Sequence, residues 1–282
     1  MKYRFHINAL SKLIAILVCF SLIQMAQAKD LVRLTAGEWV PYISETLDHK
    51  GLISQITEEA FALQNIEMKL GIFPWERAYQ LSKSGLWDGT IALSKTTERE
   101  KNYLFSDPIY TGKYVFFHLK STSVKWQNYN DLSKLRIGAA RGFGGMGQEF
   151  LSAEENKIIK VDRVTTMLQA FNMLLLGRVQ LVPSDLEVGY VLLNQNFDKK
   201  KIEQITHNNH VIQLTKYHLV MTKASPKSAD LINKFNLGLK TLKKSGRYNQ
   251  IIKEFYQKKI YQDFLPADYL TSEMNGLRKN YP

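Results

Sequence analysis

Apolar positions along this chain switch between two rhythms, and the switching predicts its elements. LVRLTAG (31–37) is a short apolar run closed by a glycine, the pattern of a buried strand. From Gly51 to Leu63 the apolar residues fall at 52, 53, 56, 60, 61 and 63, close to a helical stripe. Met68 to Phe73 predicts a second strand, Trp75 to Ser84 a helix stopped by Gly85, and WDGTIALS (87–94) a third strand. That β-α-β-α-β order argues for a parallel sheet with right-handed crossovers.

A second alternation begins after Tyr110. KYVFFHLK (113–120) is β-prone, Asn130 to Leu135 predicts a short helical turn, and LRIGAA (135–140) a strand leading into the glycine-rich RGFGGMG (141–147). Thr165 to Leu176 carries a helical stripe through Met167, Leu168, Phe171, Leu174 and Leu175, and Gly177 stops it. VQLVPSD (179–185) and KYHLVMTK (216–223) read as strands. Ala229 to Lys244 and Tyr248 to Gln257 read as a closing pair of helices around Ser245-Gly246. No solenoid-period repeat is present. The pattern predicts two α/β units, the second inserted in the first, with crossings near Tyr110–Tyr114 and Leu214–Val220.

The first residues belong to neither unit. Lys2, Arg4 and Lys12 precede an apolar run from Leu13 to Met25, too short to span a bilayer comfortably, and Ala26-Gln27-Ala28 has the small-x-small form of a cleavage site. Residues 1–28 therefore read as a secretory signal peptide cleaved after Ala28, with an uncleaved anchor as the alternative. Cleavage leaves 254 residues and lowers the formal charge from +12 to +9. The single cysteine, Cys19, leaves with the leader, which excludes disulfides and thiolate metal sites from the rest. The basic residues are scattered, and their densest run, Lys199-Lys200-Lys201, reads as solvated surface. No nucleic-acid motif accompanies them.

Candidate chemistry concentrates in SKTTEREKNYLFSDPIY (94–110). Ligands of open parallel sheets sit beyond the carboxyl ends of the strands, and Ser94, Thr96 and Arg99 lie just past the third one. Arginine holds a carboxylate through two parallel hydrogen bonds that lysine cannot reproduce. By pattern alone, Arg99 either does this or pairs with Glu98 or Glu100. Ser106-Asp107-Pro108 predicts a turn that launches the chain toward the second unit.

The run T-T-E-R-E-K…F-S-D-P-I-Y resembles the signature of bacterial extracellular solute-binding proteins of family three, the periplasmic receptors for polar amino acids. GEWVPY (37–42), GLWDGTIA (85–92), LRIGAARG (135–142), LLLGRVQLVPSD (174–185) and KFNLGLKTLKKSGRYNQIIKEFY (234–256) are similar to further family segments, in the family's order. The resemblance implies a two-lobed periplasmic-binding-protein fold of α/β class. Lobe 1 would comprise 29–112 and 219–282, lobe 2 residues 113–218, with two hinge crossings.

It also implies roles. Arg99 matches the arginine that grips the ligand's carboxylate, and Asp185 the second-lobe aspartate that takes its ammonium. Trp39 and Trp75 match aromatics that pack on the ligand, and Ser94 and Thr96 lie in a loop that hydrogen-bonds it. Simpler readings stand beside these: Asp185 as a helix N-cap for 186–193, and the tryptophans as core. The family's Gly-Thr or Gly-Ser pair is replaced by Gly142-Phe143-Gly144-Gly145, leaving backbone amides around Gly144 for an anion. Arg77, in PWERA, is a second arginine near the cleft, and Arg141 either points into the cleft or decorates the surface, the latter favoured.

These features together predict a monomeric periplasmic receptor, without cofactor or metal, that closes on an amino acid-like molecule and passes it to an ABC permease or a membrane sensor. The alternatives are a sensor without transport and an exported dehydratase-like enzyme on the same fold. For the latter, Glu38 and Glu76 are the nearest candidate acids, and none of His49, His118, His207, His210 and His218 falls in a matched motif.

Overall fold

The computed structural model describes residues 30–141, 146–258, 265, 267 and 269–271. The leader and Gly144 lie outside these. The first unit runs β1 (Asp30–Ala36), α1 (Leu52–Ala62), β2 (Ile66–Ile72), α2 (Trp75–Lys83), β3 (Gly89–Ser94) and a short α3 (Thr97–Asn102). β1 pairs in parallel with both β2 and β3, as the alternation predicted. Its inward residues Val32, Leu34 and Ala36 are fully buried, while Leu31 and Arg33 face out.

The chain then enters β4 (Tyr103–Leu119), a strand of 17 residues. No turn interrupts it. Ser106-Asp107-Pro108 forms a bulge inside the strand, where the pairing register shifts between Phe105 and Pro108 and again before Tyr110. Proline lacks the N–H that regular pairing would use, so the irregularity falls where the ladder has a donor missing. The expected turn is thus a kink in a continuous strand.

Beyond β4 come β5 (Arg136–Ala140), α4 (Gly147–Glu155), β6 (Lys160–Val164), α5 (Met167–Leu175), β7 (Val182–Asp185), α6 (Leu186–Asn196), α7 (Lys199–Ile202) and β8 (Ile205–His207). β9 (Gln213–Thr222), α8 (Ser228–Lys244) and α9 (Arg247–Gln257) finish the described helices and strands. Thr166 and Gln169 form a reciprocal capping box that starts α5, and Asp185 caps α6. The larger sheet has the order β2-β1-β3-β9-β4-β7, and β8 pairs with the end of β4. β5 and β6 form a parallel pair, tied to the segment before β7 by a bridge from Ile137 to Leu181.

Two strands therefore pass from one unit to the other: β4 outward and β9 back, antiparallel and hydrogen-bonded along their length. This is the two-lobed architecture that the two alternations predicted. Phe116 and Phe117, neighbours on β4, are both fully buried on opposite faces of the second lobe's sheet. Phe116 meets Trp126 and Phe150, and Phe117 meets Phe171 and Tyr190. In the first lobe α1 and α8 pack through Phe61 and Phe235, 5.2 Å between ring centres.

Candidate functional site

Ser94 ends β3 and Thr96 caps the short helix that follows, accepting a hydrogen bond from the Arg99 N–H at 3.3 Å. This cap turns the Arg99 side chain back over the strand end. Its Nη1 donates to the Ser94 carbonyl at 2.8 Å and to Ser94 Oγ at 2.9 Å. Neither neighbouring acid takes it: Glu98 is bonded to Lys101, and Glu100 to Lys95. Among the described residues no carboxylate pairs with Arg99. Burial lowers its pKa, while Tyr79 and Tyr103 work weakly the other way. The Tyr103 phenol, pushed up to about 12 chiefly by burial, bonds Ser82 and the Tyr79 carbonyl and braces the wall behind the guanidinium. A half-buried guanidinium held only by neutral groups has donors of the kind that pair with a carboxylate.

An aromatic group stands beside it. Ser94 pairs across the sheet with Tyr217 of β9, whose ring lies 4.8 Å from that of Trp39. Trp39 also meets Tyr42 at 4.7 Å and Trp75 at 6.5 Å, edge to face. Trp75 opens α2 and lies directly on the backbone of Gly37, where a Cβ would fall 2.2 Å from the indole. Only glycine permits that approach. Trp39 is partly buried and Trp75 is exposed at 37%, so both keep some surface toward solvent.

Asp185 closes β7 and caps α6, with Oδ1 accepting from the Val188 N–H at 3.4 Å. The N-cap reading of this residue is the one seen here. The same Oδ1 is 2.9 Å from the Tyr42 hydroxyl, and Oδ2 lies against Gly112 of β4, where a Cβ would be 2.2 Å away. Asp185 is fully buried. Burial first, and then the charge of Glu187, hold its pKa well above the usual carboxylate range. Glu187, also buried, accepts from the hydroxyls of Tyr42 (2.8 Å), Tyr110 (3.2 Å), Tyr256 (2.7 Å) and Tyr269.

The structure thus joins Ser94, Thr96 and Arg99 in one cluster and Trp39 and Trp75 in another, with Tyr217 between them. Asp185 is reached from that aromatic group through Tyr42. The sequence reading passed over Tyr42, Glu187, Tyr217, Tyr110 and Tyr256. One signal was present: Glu187, Tyr190 and Val191 share a face in a helix whose other residues are mostly apolar, so Glu187 had to be buried and partnered. Arg77 is exposed over the Phe73 ring, and Arg141 is exposed. Glu38 and Glu76 are exposed too, the latter bonded to Gln80. Among the described residues no cluster of His, Cys, Asp and Glu could hold a metal ion, and no helix is long and apolar enough to cross a membrane.

Two α/β lobes joined by paired strands, with a half-buried guanidinium at a strand end and aromatics beside it, have the architecture of a binding protein of the periplasmic type. The chain belongs to the bacterial extracellular solute-binding proteins, family 3, whose model matches residues 31–258. An ancestral arginine-binding protein bound to arginine superposes with a TM-score of 0.63 at 21% identity, covering 80% of this chain and 98% of that one. An amino acid ABC transporter substrate-binding protein of Streptococcus pneumoniae, bound to L-arginine, gives 0.61 at 21%, covering 81% and 95%. A histidine kinase sensor domain similar to periplasmic binding proteins gives 0.63 at 17%, covering 82% and 97%. At these identities the likeness speaks to the fold. No match was found among curated proteins.

Proposed function

We propose that this chain is a periplasmic receptor that captures a small carboxylate-bearing solute, an amino acid or a related compound, by closing two lobes, and delivers it to an ABC permease. The observation that carries the reading is Arg99: a half-buried guanidinium, fixed through one nitrogen by Ser94 and left without an acid partner among the described residues. It would take the carboxylate, with Ser94 and Thr96 as neutral donors. Trp39 and Trp75 would cover the body of the ligand. From the other lobe, Asp185 would meet an ammonium and the amides around Gly144 would meet an anion.

The lobes are assigned as 29–112 with 219–282, and 113–218, so Tyr42 and Asp185 stand on opposite sides of the closure. Each lobe alone leaves a charge without its partner, which makes the closed, ligated form the favoured one. Residues 1–28 would direct export and be cleaved after Ala28, leaving a monomer in the periplasm that acts as a binding protein and not as an enzyme. A thermal-shift screen of the purified chain across amino acids, short peptides and organic acids tests this. A ligand that raises Tm supports capture, and absence of product after incubation with it separates receptor from enzyme.

A further inference from the structure

The acid pair of α6 calls for more hydrogens than the phenols around it among the described residues provide. Five close O···O contacts join Asp185 and Glu187 to the hydroxyls of Tyr42, Tyr110, Tyr256 and Tyr269, and a sixth joins Tyr110 to Tyr256 at 3.0 Å. Each contact uses one hydrogen, and four phenols supply four. Tyr42 shows the deficit most clearly, because its single hydrogen faces Asp185 Oδ1 at 2.9 Å and Glu187 Oε2 at 2.8 Å. Among the described residues no lysine or arginine is paired with either acid, and both are buried. Two ionised carboxylates side by side in such a site would be strongly disfavoured.

On the lobe boundaries proposed above, both acids belong to lobe 2 and all four phenols to lobe 1. The hydrogen bonds between acids and phenols therefore cross the closure. We propose that Asp185 and Glu187 form a proton-binding site completed by lobe closure: the closed, unliganded protein holds one proton on the pair, and opening releases it to solvent. The proton then occupies the charge position assigned above to a ligand ammonium, so the two are alternatives at one site.

The groups facing the pair agree with this. Tyr42 on the loop after β1 and Tyr110 on β4 are held neutral, chiefly by burial, as is Tyr217 on β9. Tyr114 of β4, paired with Asp185 in the sheet, is raised by burial as well. The cation Lys113 stands over the Tyr269 ring, 5.6 Å from its centre. Burial and the neighbouring Glu187 charge raise the Asp185 pKa in the closed form. Hydration on opening returns it toward its ordinary value. The closed form therefore gains nothing below that ordinary value and weakens as pH rises above it, the closed-to-open ratio falling about tenfold per pH unit until the raised value is reached.

Two measurements on the purified, ligand-free chain test the proposal. Infrared spectroscopy with carbon-13 on aspartate or glutamate should show a protonated carboxyl band at pH 7 that is lost in Asp185→Asn or Glu187→Gln. X-ray scattering should show the radius of gyration growing from pH 5 to pH 8 in the parent and staying flat in Glu187→Gln, whose amide brings its own hydrogens. Absence of the band in the parent overturns the site. A band with a radius that does not change with pH overturns the coupling to closure. Neither measurement uses a ligand or Arg99, so failure here leaves the receptor reading standing, and failure of a ligand screen leaves this site standing.

Discussion

The Tyr42 hydroxyl lies 2.9 Å from Asp185 Oδ1, tying the loop after the first strand to the start of a helix 143 residues further on. One hydroxyl thereby meets a buried acid in a distant part of the chain, as well as Glu187 two residues beyond it. Tyr42→Phe keeps the ring and removes the bond, so it should destabilise the protein by about 1–3 kcal/mol in urea unfolding. The parent should also lose stability as pH rises out of the carboxylate range. Burial, then Glu187, raise the Asp185 pKa, so the native state holds a proton that the unfolded chain releases. Relative to Asp185→Asn, which cancels the opposite slope of the buried His218, a parent whose unfolding free energy rises between pH 5 and pH 8 would contradict that sign.

Arg99 is the second target. At a ligand concentration 100 times Kd, binding to the native state should add about 2.7 kcal/mol of stability in the parent. Arg99→Ala should remove that gain while leaving the circular dichroism spectrum native. Arg99→Lys should remove most of it, because an ammonium cannot make two parallel bonds to a carboxylate. A Tm rise in Arg99→Ala equal to the parent's would place the carboxylate elsewhere.

Gly112 is the third. A methyl at this position would sit 2.2 Å from Asp185 Oδ2 and 2.9 Å from the Tyr217 ring. Neither neighbour is free to retreat, since Asp185 is fully buried and Tyr217 packs on Trp39. Gly112→Ala should cost about 1–3 kcal/mol through overpacking. Calorimetry should show a lower Tm, and an unchanged Tm would mean that the strand crossing is looser than described.

Arg247 supplies an acid-side prediction. It bonds Glu59 of α1 at 2.7 and 2.8 Å and Glu254 of its own helix at 3.3 Å. Burial is the largest single influence and raises the Glu59 pKa, but the Arg247 and Gln55 hydrogen bonds and the nearby positive charge together outweigh it and the net shift is downward. The stabilisation is therefore present above the ordinary carboxyl pKa and lost as pH falls through the lowered one. The pair is partly exposed, so the effect is about 1 kcal/mol or less. Arg247→Met should flatten the parent's loss of stability below pH 5, measured by urea unfolding at several pH values.

Much of this architecture was written in local periodicity. β1, α1, β2, α2 and β3 were legible because each lies next to a glycine or proline at one end, and all but α2 bury a clear apolar face. β6 was not: Lys-Val-Asp-Arg-Val carries three charges in five residues, and it forms a strand because Arg136 pairs with Asp162 and Arg163 with Glu154. The bulge at Pro108 looked like a turn for the same reason, since local sequence marks a missing donor but not the partner strand that keeps the chain extended. At the candidate site the separate residues were visible, whereas their meeting was not. Tyr42, Glu187 and Tyr256 are distant in sequence, and only the fold brings their oxygens together.

The insertion also sets an order of assembly. β3 has β1 on one side and β9 on the other, yet β9 begins at Gln213, more than a hundred residues later. While the chain is being made, the first sheet keeps an open flank, and Glu59 waits for an arginine 188 residues away. The middle segment needs less from outside: the far end of β4 pairs with β7 and β8, and β5 with β6, all within it. The lobe encoded second is therefore the one that can be completed first, and the lobe that starts the chain is the last to close its sheet.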